Sequence, residues 1–293
     1  VGMNARVKSV LRLFYRAVIV PLRFCRTVLM AVATGLVRIL PVRFWLELSE
    51  RGRLVRTMDY RQHGPIRMRV GSWIEYEYRL QEARKEPETV AWIEKWFSPG
   101  DVFYDIGANV GSYSLIAYRR CGGDLTVYSF EPGCMTYPHL CQNIQLNQAG
   151  DRISPFQVAL FDHTTVAMFH YQNLLTGGAL HALDEPKDWR GEEFTPVSSL
   201  PALCYRLDDF VHQFELSTPT HVKIDVDGTE LDILKGAAKT LQAPTVRTLV
   251  LETFDGSPYF AEMGQLITQY GFELHSREND NYLYIKPVLT QPR

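Results

Sequence analysis

The stretch "DVFYDIGANVGSYS", residues 101–114, constrains the fold of this chain more than any other part of the sequence. An apolar run ends in Asp105, a turn that holds Gly107, Asn109 and Gly111 follows, and a helical pattern begins after it. A strand, a glycine-rich turn and a helix in this order are typical of a nucleotide-like ligand bound at the helix N-terminus. The sequence therefore predicts an α/β fold whose ligand lies against this turn.

From about residue 88 onward, strand-like and helix-like segments alternate along the chain. Near-continuous apolar runs are separated by helical patterns; the runs are "DVFYDI", "LTVYSFEP", "ISPFQVALF", "THVKIDVDG" and "VRTLVLETF". Such strands predict a mostly parallel sheet that is covered by helices on both faces. The segments "GFELHS" and "NYLYIK" predict a closing antiparallel hairpin.

About 60 residues, 160–219, separate the third predicted strand from the fourth, which is longer than an ordinary connection in such a fold. They contain a predicted strand, "VAMFHY", and a predicted short helix, "LDDFVHQF". The insertion leaves from the carboxyl ends of the strands, where doubly wound folds bind ligands, so we expect a substrate lid. Its aromatic residues are expected to form a small core, with stacking on a sugar ring as the alternative; they are Phe169, Tyr171, Trp189 and Phe194. His181 in this loop is expected to be solvated, with a contact to substrate as the alternative.

The first 56 residues are predicted to be a basic helical arm, followed by a connecting segment, 57–87, and a main domain, 88–293. The arm holds 11 Lys and Arg against two acidic residues, whereas the rest of the chain holds 20 basic and 31 acidic side chains. The acidic body argues against a nucleic-acid partner. The basic amphipathic pattern predicts peripheral membrane contact through residues 1–48, with packing on the body or a second subunit, or a cleaved signal, as alternatives.

Two further features bear on the location of the protein. The longest uncharged apolar run of the arm, 27–37, is too short to cross a bilayer, which takes about 20 residues. The five cysteines include no C-x-x-C pair, so we interpret them as reduced thiols. The sequence predicts a cytoplasmic protein, with the inner face of a membrane as the site of any peripheral contact.

The charge around the glycine-rich turn predicts which ligand it binds. Asp105 would repel the pyrophosphate of a dinucleotide, and the turn lacks the G-x-G-x-x-G pattern, which argues against an NAD-dependent oxidoreductase. S-adenosylmethionine carries an ammonium and a sulfonium but no phosphate, so Asp105 suits its amine. Glu131 ends the second predicted strand, where a carboxylate can accept both hydroxyls of a ribose. The alternative treats Asp105 as a helix cap and Glu131 as a solvated strand end.

At this point the sequence resembles the FkbM-type S-adenosylmethionine-dependent methyltransferases. The resemblance covers roughly 100–285 and rests on ordered blocks that include "FYDIGANVGSYS", "SFEP", "CQNIQLN", "VKIDVDGTELDILKGA", "LVLET" and "NYLYI". The chain departs from the family pattern at Asp227, where a Glu is usual. The resemblance implies a Rossmann-like class I methyltransferase fold with a seven-stranded sheet and S-adenosylmethionine as cofactor. It also implies that the cofactor site is lined by Asp105, Gly107, Asn109, Gly111 and Glu131, with Ala159 beside the adenine.

Asp225 is the candidate for the residue that takes a proton from the methyl acceptor, because it ends the strand "VKID" on the ligand side of the sheet. Lys223 shares its strand face, so an ion pair between the two is the competing interpretation. Asp227 and Glu230 stand in D-x-x-E spacing before a helix, which favours a structural capping box for Asp227.

Glu252 ends the strand "LVLE" and is expected to face either the pocket or water. Asp225, Glu252 and Asp255 could together hold a divalent cation, since oxygen ligands suit Mg²⁺. Nothing in their spacing demands a metal, so no metal site is predicted. The favoured function is O-methylation of a hydroxyl on a sugar, glycan or natural-product scaffold. N-methylation is the nearest alternative, and a non-catalytic scaffold is disfavoured because the cofactor residues are nearly complete.

Overall fold

The computed structural model describes residues 41–43 and 54–287. The chain divides into one unit over residues 1–53 and a second over residues 54–293. The predicted arm of residues 1–56, and with it the predicted membrane contact of residues 1–48, lies almost wholly outside the described residues. Within the described residues, no helix combines the length and the apolar character needed to cross a membrane.

Strands and helices of residues 54–287 alternate as the sequence predicts. The strands are β1 (Val55–Thr57), β2 (Arg67–Arg69), β3 (Val102–Ile106), β4 (Thr126–Phe130), β5 (Ile153–Phe156), β6 (Ala159–Leu160), β7 (Thr165–Tyr171), β8 (Ala182–Leu183), β9 (Ser198–Tyr205), β10 (His221–Ile224), β11 (Thr248–Glu252), β12 (Glu273–Glu278) and β13 (Asn281–Ile285). The helices are α1 (Trp73–Glu77), α2 (Glu82–Lys85), α3 (Pro87–Trp96), α4 (Ser112–Arg120), α5 (Tyr137–Leu146), α6 (Leu207–Gln213), α7 (Glu230–Gly236), α8 (Ala238–Gln242) and α9 (Phe260–Gln269).

The main sheet has seven strands in the order β12-β13-β11-β10-β3-β4-β5. The five strands from β11 to β5 are parallel, whereas β12 and β13 form an antiparallel hairpin on the β11 edge. This arrangement confirms the predicted Rossmann-like fold and its closing hairpin. The chain order reverses between β3 and β10, and such a switch point is where open α/β sheets bind ligands.

Alternate residues of the central strands face two separate cores. Phe103 and Val250 pack with Trp92 and Leu115, so α3 and α4 cover one face. Tyr104 and Leu249 belong to the second core, on the face covered by α6 to α9. Both faces of the sheet are therefore buried, which explains why the strands have near-continuous apolar sequences.

The insertion forms a small sheet of its own in the order β6-β9-β7-β8. The predicted strand "VAMFHY" is β7, and the predicted helix "LDDFVHQF" contains α6. The prediction of one strand over "ISPFQVALF" is wrong, because the chain leaves the main sheet after Phe156 and β6 joins the insertion sheet. Phe169 and Tyr171 pack in a local core, as predicted, but Trp189 does not belong to it.

Residues 57–87, the predicted connecting segment, pack closely on the sheet and its helices. Met58 and Ile66 lie in the core of the α3–α4 face. The backbone N–H groups of Arg67 and Arg69 donate to the side-chain oxygens of Asn147 and Asn143 at 3.0 and 2.7 Å. The segment thereby places α1 and α2 beside the ligand end of the sheet.

Candidate active site

The glycine-rich turn after β3 depends on backbone geometry that side chains rarely allow. Gly107 and Gly111 have φ values of +80° and +88°. A Cβ on Gly107 would lie 1.8 Å from the carbonyl oxygen of Asp225, so only glycine fits between β3 and β10. The N–H groups of Gly107 and Ala108 both donate to the carbonyl oxygen of Phe130 at 3.0 Å, which ties the turn to the end of β4.

Glu131 is buried beside this turn rather than solvated. Its Oε2 accepts the N–H of Asn109 at 3.0 Å, and its Oε1 accepts the N–H of Gly133 at 2.7 Å. Burial raises the pKa of the carboxyl to about 7, although the two N–H donors oppose the shift. The alternative that treats Glu131 as a solvated strand end is therefore wrong.

An inner cavity of about 270 Å³ opens at the carboxyl ends of β3, β4 and β10. The structure brings five of the predicted site residues to its wall: Gly107, Asn109, Glu131, Ala159 and Asp225. The side-chain oxygen of Asn109 is buried there without a hydrogen-bond partner among the described residues. Asp105 and Gly111 do not line this cavity.

Asp105 lies on the sheet face that α4 covers. Its Oδ2 accepts the hydroxyl of Ser114 at 2.5 Å, and Oδ1 has no partner among the described residues. Burial raises the pKa of this carboxyl, while Lys223, its neighbour on β10, opposes the shift. The capping alternative is wrong, because α4 begins after Gly111 without a side-chain cap. Binding of a cofactor amine by Asp105 stays a prediction.

A loop of the insertion, residues 173–181, roofs the inner cavity. The Asn109 side-chain amide donates to the carbonyl oxygen of Gly178 at 2.9 Å. Asp227 Oδ2 accepts the N–H groups of Leu180 and His181 at 2.6 and 3.2 Å. The prediction that Asp227 caps a helix is wrong, since α7 has Thr229 at its N-cap and no side-chain cap bond.

Two side chains of the cavity were not identified from the sequence. Arg79, in the short turn before α2, donates to the carbonyl oxygen of Gly177 at 3.0 Å and to Glu82 at 2.6 Å. Glu86 accepts the hydroxyl of Tyr113 at 2.6 Å. Both line the inner cavity. Neither belongs to a motif, so only the tertiary fold reveals them.

His181 also lines the inner cavity and is 8% exposed. Its Nδ1 accepts the N–H of Gln172 at 3.3 Å, and its ring contacts Phe169 and Tyr171. Burial, with the nearby charge of Arg79, lowers the pKa of this imidazole to about 4. His181 is therefore neutral at pH 7 and is a weak base.

A group of acids surrounds the buried ammonium of Lys223. Asp225 forms an ion pair with Lys223 and also shares a hydrogen bond with Glu252. Burial opposes ionisation of Asp225, but the charge of Lys223, hydrogen bonds from Glu252 and Lys223 and the charge of Arg79 together outweigh it and lower the pKa of this carboxyl. The adjacent charge of Asp225, followed by burial, raises the pKa of Glu252 far above its usual range. The pair thus holds one proton at neutral pH, shared between the two carboxyls.

The oxygen site considered for a metal does not form. Asp255 is exposed and accepts a hydrogen bond from Arg277 at 2.9 Å. No group of three or more His, Cys, Asp or Glu suited to a metal ion occurs within residues 41–43 and 54–287.

A larger outer cavity of about 880 Å³ adjoins the inner one. The two share Asp225, Asp227 and Glu252 in their walls. Trp189 of the insertion also lines the outer cavity, edge-on to Phe254 with ring centroids 4.8 Å apart. A ligand in the outer cavity can therefore meet a ligand in the inner one at the Asp225–Glu252 pair.

Comparison with known proteins decides the family. Residues 105–274, more than half of the chain, match the family described as "Methyltransferase FkbM domain". The chain belongs to the FkbM methyltransferase family. This assignment confirms the resemblance seen in the sequence and makes the protein a methyltransferase.

Curated relatives of this FkbM-family methyltransferase are distant. The hexuronic acid methyltransferase AglP of Haloferax volcanii is 25% identical over 183 residues, which is 62% of this chain and 68% of that protein. The 31-O-demethyl-FK506 methyltransferase FkbM of Streptomyces tacrolimicus is 25% identical over 199 residues, covering 62% and 76% of the two chains. A crystal structure of methyltransferase FkbM from Methylobacillus flagellatus KT has a TM-score of 0.42 at 18% identity. It aligns with 64% of this chain and with less than half, 44%, of its own.

Titration of Glu230 is expected to make the stability of this methyltransferase depend on pH. Burial raises the pKa of the carboxyl to about 8 from its ordinary value of 4.5. The folded state therefore holds a proton that the unfolded chain releases. The contribution of Glu230 to stability is fully present below about pH 4.5 and is lost as the pH rises to about 8. Between pH 5 and pH 8 we expect the free energy of unfolding of the wild type to fall. In Glu230→Gln the fall should be smaller by on the order of 3 kcal/mol.

Urea unfolding at the two pH values measures this difference. Glu262→Gln, which removes a carboxylate on the exposed surface of α9, is the matched control and should keep the wild-type pH dependence. An identical pH dependence in Glu230→Gln and wild type would show that Glu230 does not retain its proton in the fold.

Proposed function

We propose that this methyltransferase uses S-adenosylmethionine and methylates a hydroxyl of a sugar or natural-product scaffold. The observation that carries the proposal is the pair of adjoining cavities that meet at Asp225 and Glu252. The inner cavity takes the cofactor and the outer one takes the acceptor. Two reactants held in adjoining cavities are already close together, so an in-line displacement needs only their correct alignment.

The residues of the inner cavity fit S-adenosylmethionine. Glu131, in the wall of this cavity, offers an acceptor to the ribose hydroxyls. Ala159 leaves room for the flat adenine beside β6. The cofactor supplies an electrophilic methyl group, so the protein need only bind, align and exclude water.

Asp225 is the residue to which we assign the proton of the acceptor hydroxyl. It is ionised at every physiological pH because Lys223 holds its charge, and it lines both cavities. When the acceptor hydroxyl donates a hydrogen bond to this carboxylate, a lone pair of its oxygen points away from the carboxylate. The oxygen becomes a strongly acidic oxonium as it is alkylated, so even a weakly basic carboxylate can take its proton. Glu252, which shares a proton with Asp225, holds Asp225 in place.

The charge of the outer cavity favours a neutral acceptor over an anionic one. Three basic side chains line its wall, Lys187, Arg190 and Lys235, against ten acidic ones: Asp184, Glu185, Asp188, Asp225, Asp227, Glu230, Asp232, Glu252, Glu262 and Asp280. The pKa values of Glu230 and Glu252 are raised above neutral, so the excess of negative charge rests on the other eight. A carboxylate such as that of a hexuronic acid would be repelled by this excess. We therefore propose neutral glycosyl or polyol acceptors. N-methylation remains the second candidate, because an acidic wall also attracts an amine.

The test combines binding and product analysis. Calorimetry is expected to detect binding of S-adenosylhomocysteine but not of NADH. Incubation with methyl-labelled S-adenosylmethionine and matched neutral and uronic methyl glycosides should label the neutral set, and mass spectrometry should place the label on oxygen. Binding of NADH alone would overturn the cofactor proposal, and preferential labelling of uronates or amines would overturn the acceptor proposal.

We also propose peripheral membrane contact through residues 1–48, on the basic amphipathic pattern of their sequence. The full chain should sediment with anionic liposomes, and a chain that lacks residues 1–48 should stay in the supernatant. Equal sedimentation of the two chains would remove this proposal.

A further inference from the structure

Arg79 is the only lysine or arginine among the described residues that line the inner cavity. The same wall carries five acidic side chains: Glu86, Glu131, Asp225, Asp227 and Glu252. Such a wall repels a ligand carboxylate everywhere except beside its one cation. The amino-acid end of S-adenosylmethionine carries a carboxylate, so the position of Arg79 limits where that end can lie.

The guanidinium of Arg79 is held in place without being fully used. Its Nε donates to the carbonyl oxygen of Gly177 at 3.0 Å, and its Nη1 donates to Glu82 at 2.6 Å. Its Nη2 has no hydrogen-bond partner among the described residues, and the side chain is 17% exposed. A carboxylate in the cavity can therefore accept a hydrogen bond from this side chain without breaking either existing bond.

Glu86 is the acid of this wall that has an oxygen to spare. Its Oε2 accepts the hydroxyl of Tyr113 at 2.6 Å, whereas no described residue donates to its Oε1. The four other acids already accept backbone N–H groups or share a hydrogen bond with each other. Burial, followed by the charge of Asp225, raises the pKa of Glu86 to about 7. An ammonium group beside Glu86 would favour its ionised form.

Both side chains lie beside the glycine-rich turn and the helix that follows it. Consecutive carbonyl groups of the roof loop, at residues 177 and 178, accept hydrogen bonds from Arg79 and from Asn109 of the turn. Glu86 accepts its hydrogen bond from Tyr113, in the first turn of α4. Arg79 and Glu86 therefore face the part of the cavity where the turn meets the helix N-terminus.

We propose that Arg79 binds the carboxylate of the cofactor's amino-acid end and that Glu86 binds its ammonium group. The inference rests on S-adenosylmethionine being the cofactor. One short piece of chain supplies both contacts, because Arg79 precedes α2 and Glu86 follows it. This piece lies outside the matched family domain of residues 105–274, so the segment before that domain completes the cofactor site.

Calorimetry on the full chain with three ligands tests the two contacts. S-adenosylhomocysteine carries both charged groups, its decarboxylated analogue keeps only the amine, and its deaminated analogue keeps only the carboxylate. Removal of the Arg79 charge should weaken S-adenosylhomocysteine and the deaminated analogue about 10- to 100-fold, and should leave the decarboxylated analogue unchanged or tighter. Glu86→Gln should weaken S-adenosylhomocysteine and the decarboxylated analogue about tenfold, and should not weaken the deaminated one.

The Arg79 variant must not leave a buried carboxylate unpaired. Glu82 is 6% exposed and forms an ion pair with Arg79, so the variant is Arg79→Met combined with Glu82→Gln. Glu82→Gln alone is the matched control and should bind all three ligands as the wild type does. Thermal melts show whether each variant is folded at the temperature of the titrations.

The pattern over the three ligands separates binding from a structural role. An equal loss for all three ligands in the Arg79 variant, or a loss as large in Glu82→Gln alone, would show that Arg79 only supports the roof loop and would overturn the inference. Wild-type affinity for S-adenosylhomocysteine in both variants would overturn it too, while the cofactor proposal stands. A wild-type chain that binds none of the three ligands would overturn the cofactor proposal and the inference with it.

Discussion

Replacement of Gly107 by alanine is expected to abolish methyl transfer and to destabilise the domain by more than about 4 kcal/mol. The Cβ would lie 1.8 Å from the carbonyl oxygen of Asp225 and 2.8 Å from its carbonyl carbon, and both are backbone atoms that cannot turn aside. Positive φ adds its own strain for an L-residue. Relief of the clash must push β3 and β10 apart at their carboxyl ends, where the inner cavity lies.

Gly100→Ala is the matched control for this prediction. Gly100 has a φ of +84°, close to that of Gly107, but no atom lies within 4 Å of the position of its Cβ. It should cost only the strain of positive φ, about 1–2 kcal/mol, and leave the affinity for S-adenosylhomocysteine unchanged. Urea unfolding and calorimetry measure both effects. Equal losses in the two variants would show that the contact with Asp225 does not matter.

The fold was predictable because each level of the sequence agrees with it. The runs around Phe103, Val222 and Leu249 are apolar at successive positions, and only strands buried on both faces need that. The hairpin over β12 and β13 was equally predictable from the sequence. The break after Phe156 was not, because "ISPFQVALF" has strand character throughout and the choice between two sheets depends on β9, over 40 residues away.

The candidate site was predictable where the backbone imposes a residue type. Gly107 must be glycine because of β10, and Glu131 is marked by its place at the end of a strand. Asp105 illustrates the limit of the pattern. Asp105 comes two residues after Phe103 on β3, so both side chains point to the same face of the sheet. Strand periodicity alone therefore directs its carboxylate toward Ser114 and away from the inner cavity.

Asp227 and Arg79 could not be placed from sequence for a different reason. The D-x-x-E spacing of Asp227 and Glu230 suits a helix cap, but Asp227 bonds to the roof loop 46 and 47 residues away. Arg79 lies in no motif and reaches the cavity because the segment that precedes it packs against α5 through β2. Long-range contacts decide both roles, and local pattern does not record them.

Asp225→Asn is expected to lower kcat by about 10²–10⁴-fold, the usual range for removal of a proton acceptor, with little change in the KM for the cofactor. Asparagine keeps the size of the side chain but can no longer take a proton from the acceptor hydroxyl. It also leaves Lys223, which is 1% exposed, without its closest counter-charge, so the free energy of unfolding should fall. Unfolding curves must therefore accompany the kinetics, at a temperature where the variant stays folded.

Glu252→Gln separates the charge of the pair from its hydrogen bond. Glu252 shares its proton with Asp225 through a hydrogen bond. A glutamine amide can donate a hydrogen bond in the same direction with nearly the same shape. This variant should retain kcat within about threefold and the wild-type stability, since it changes no charge at neutral pH. If kcat falls as far in Glu252→Gln as in Asp225→Asn, the carboxyl of Glu252 takes part in accepting the proton of the hydroxyl. If a folded Asp225→Asn keeps the wild-type kcat, Asp225 does not accept the proton, and the hydroxyl must lose it to another group or to water.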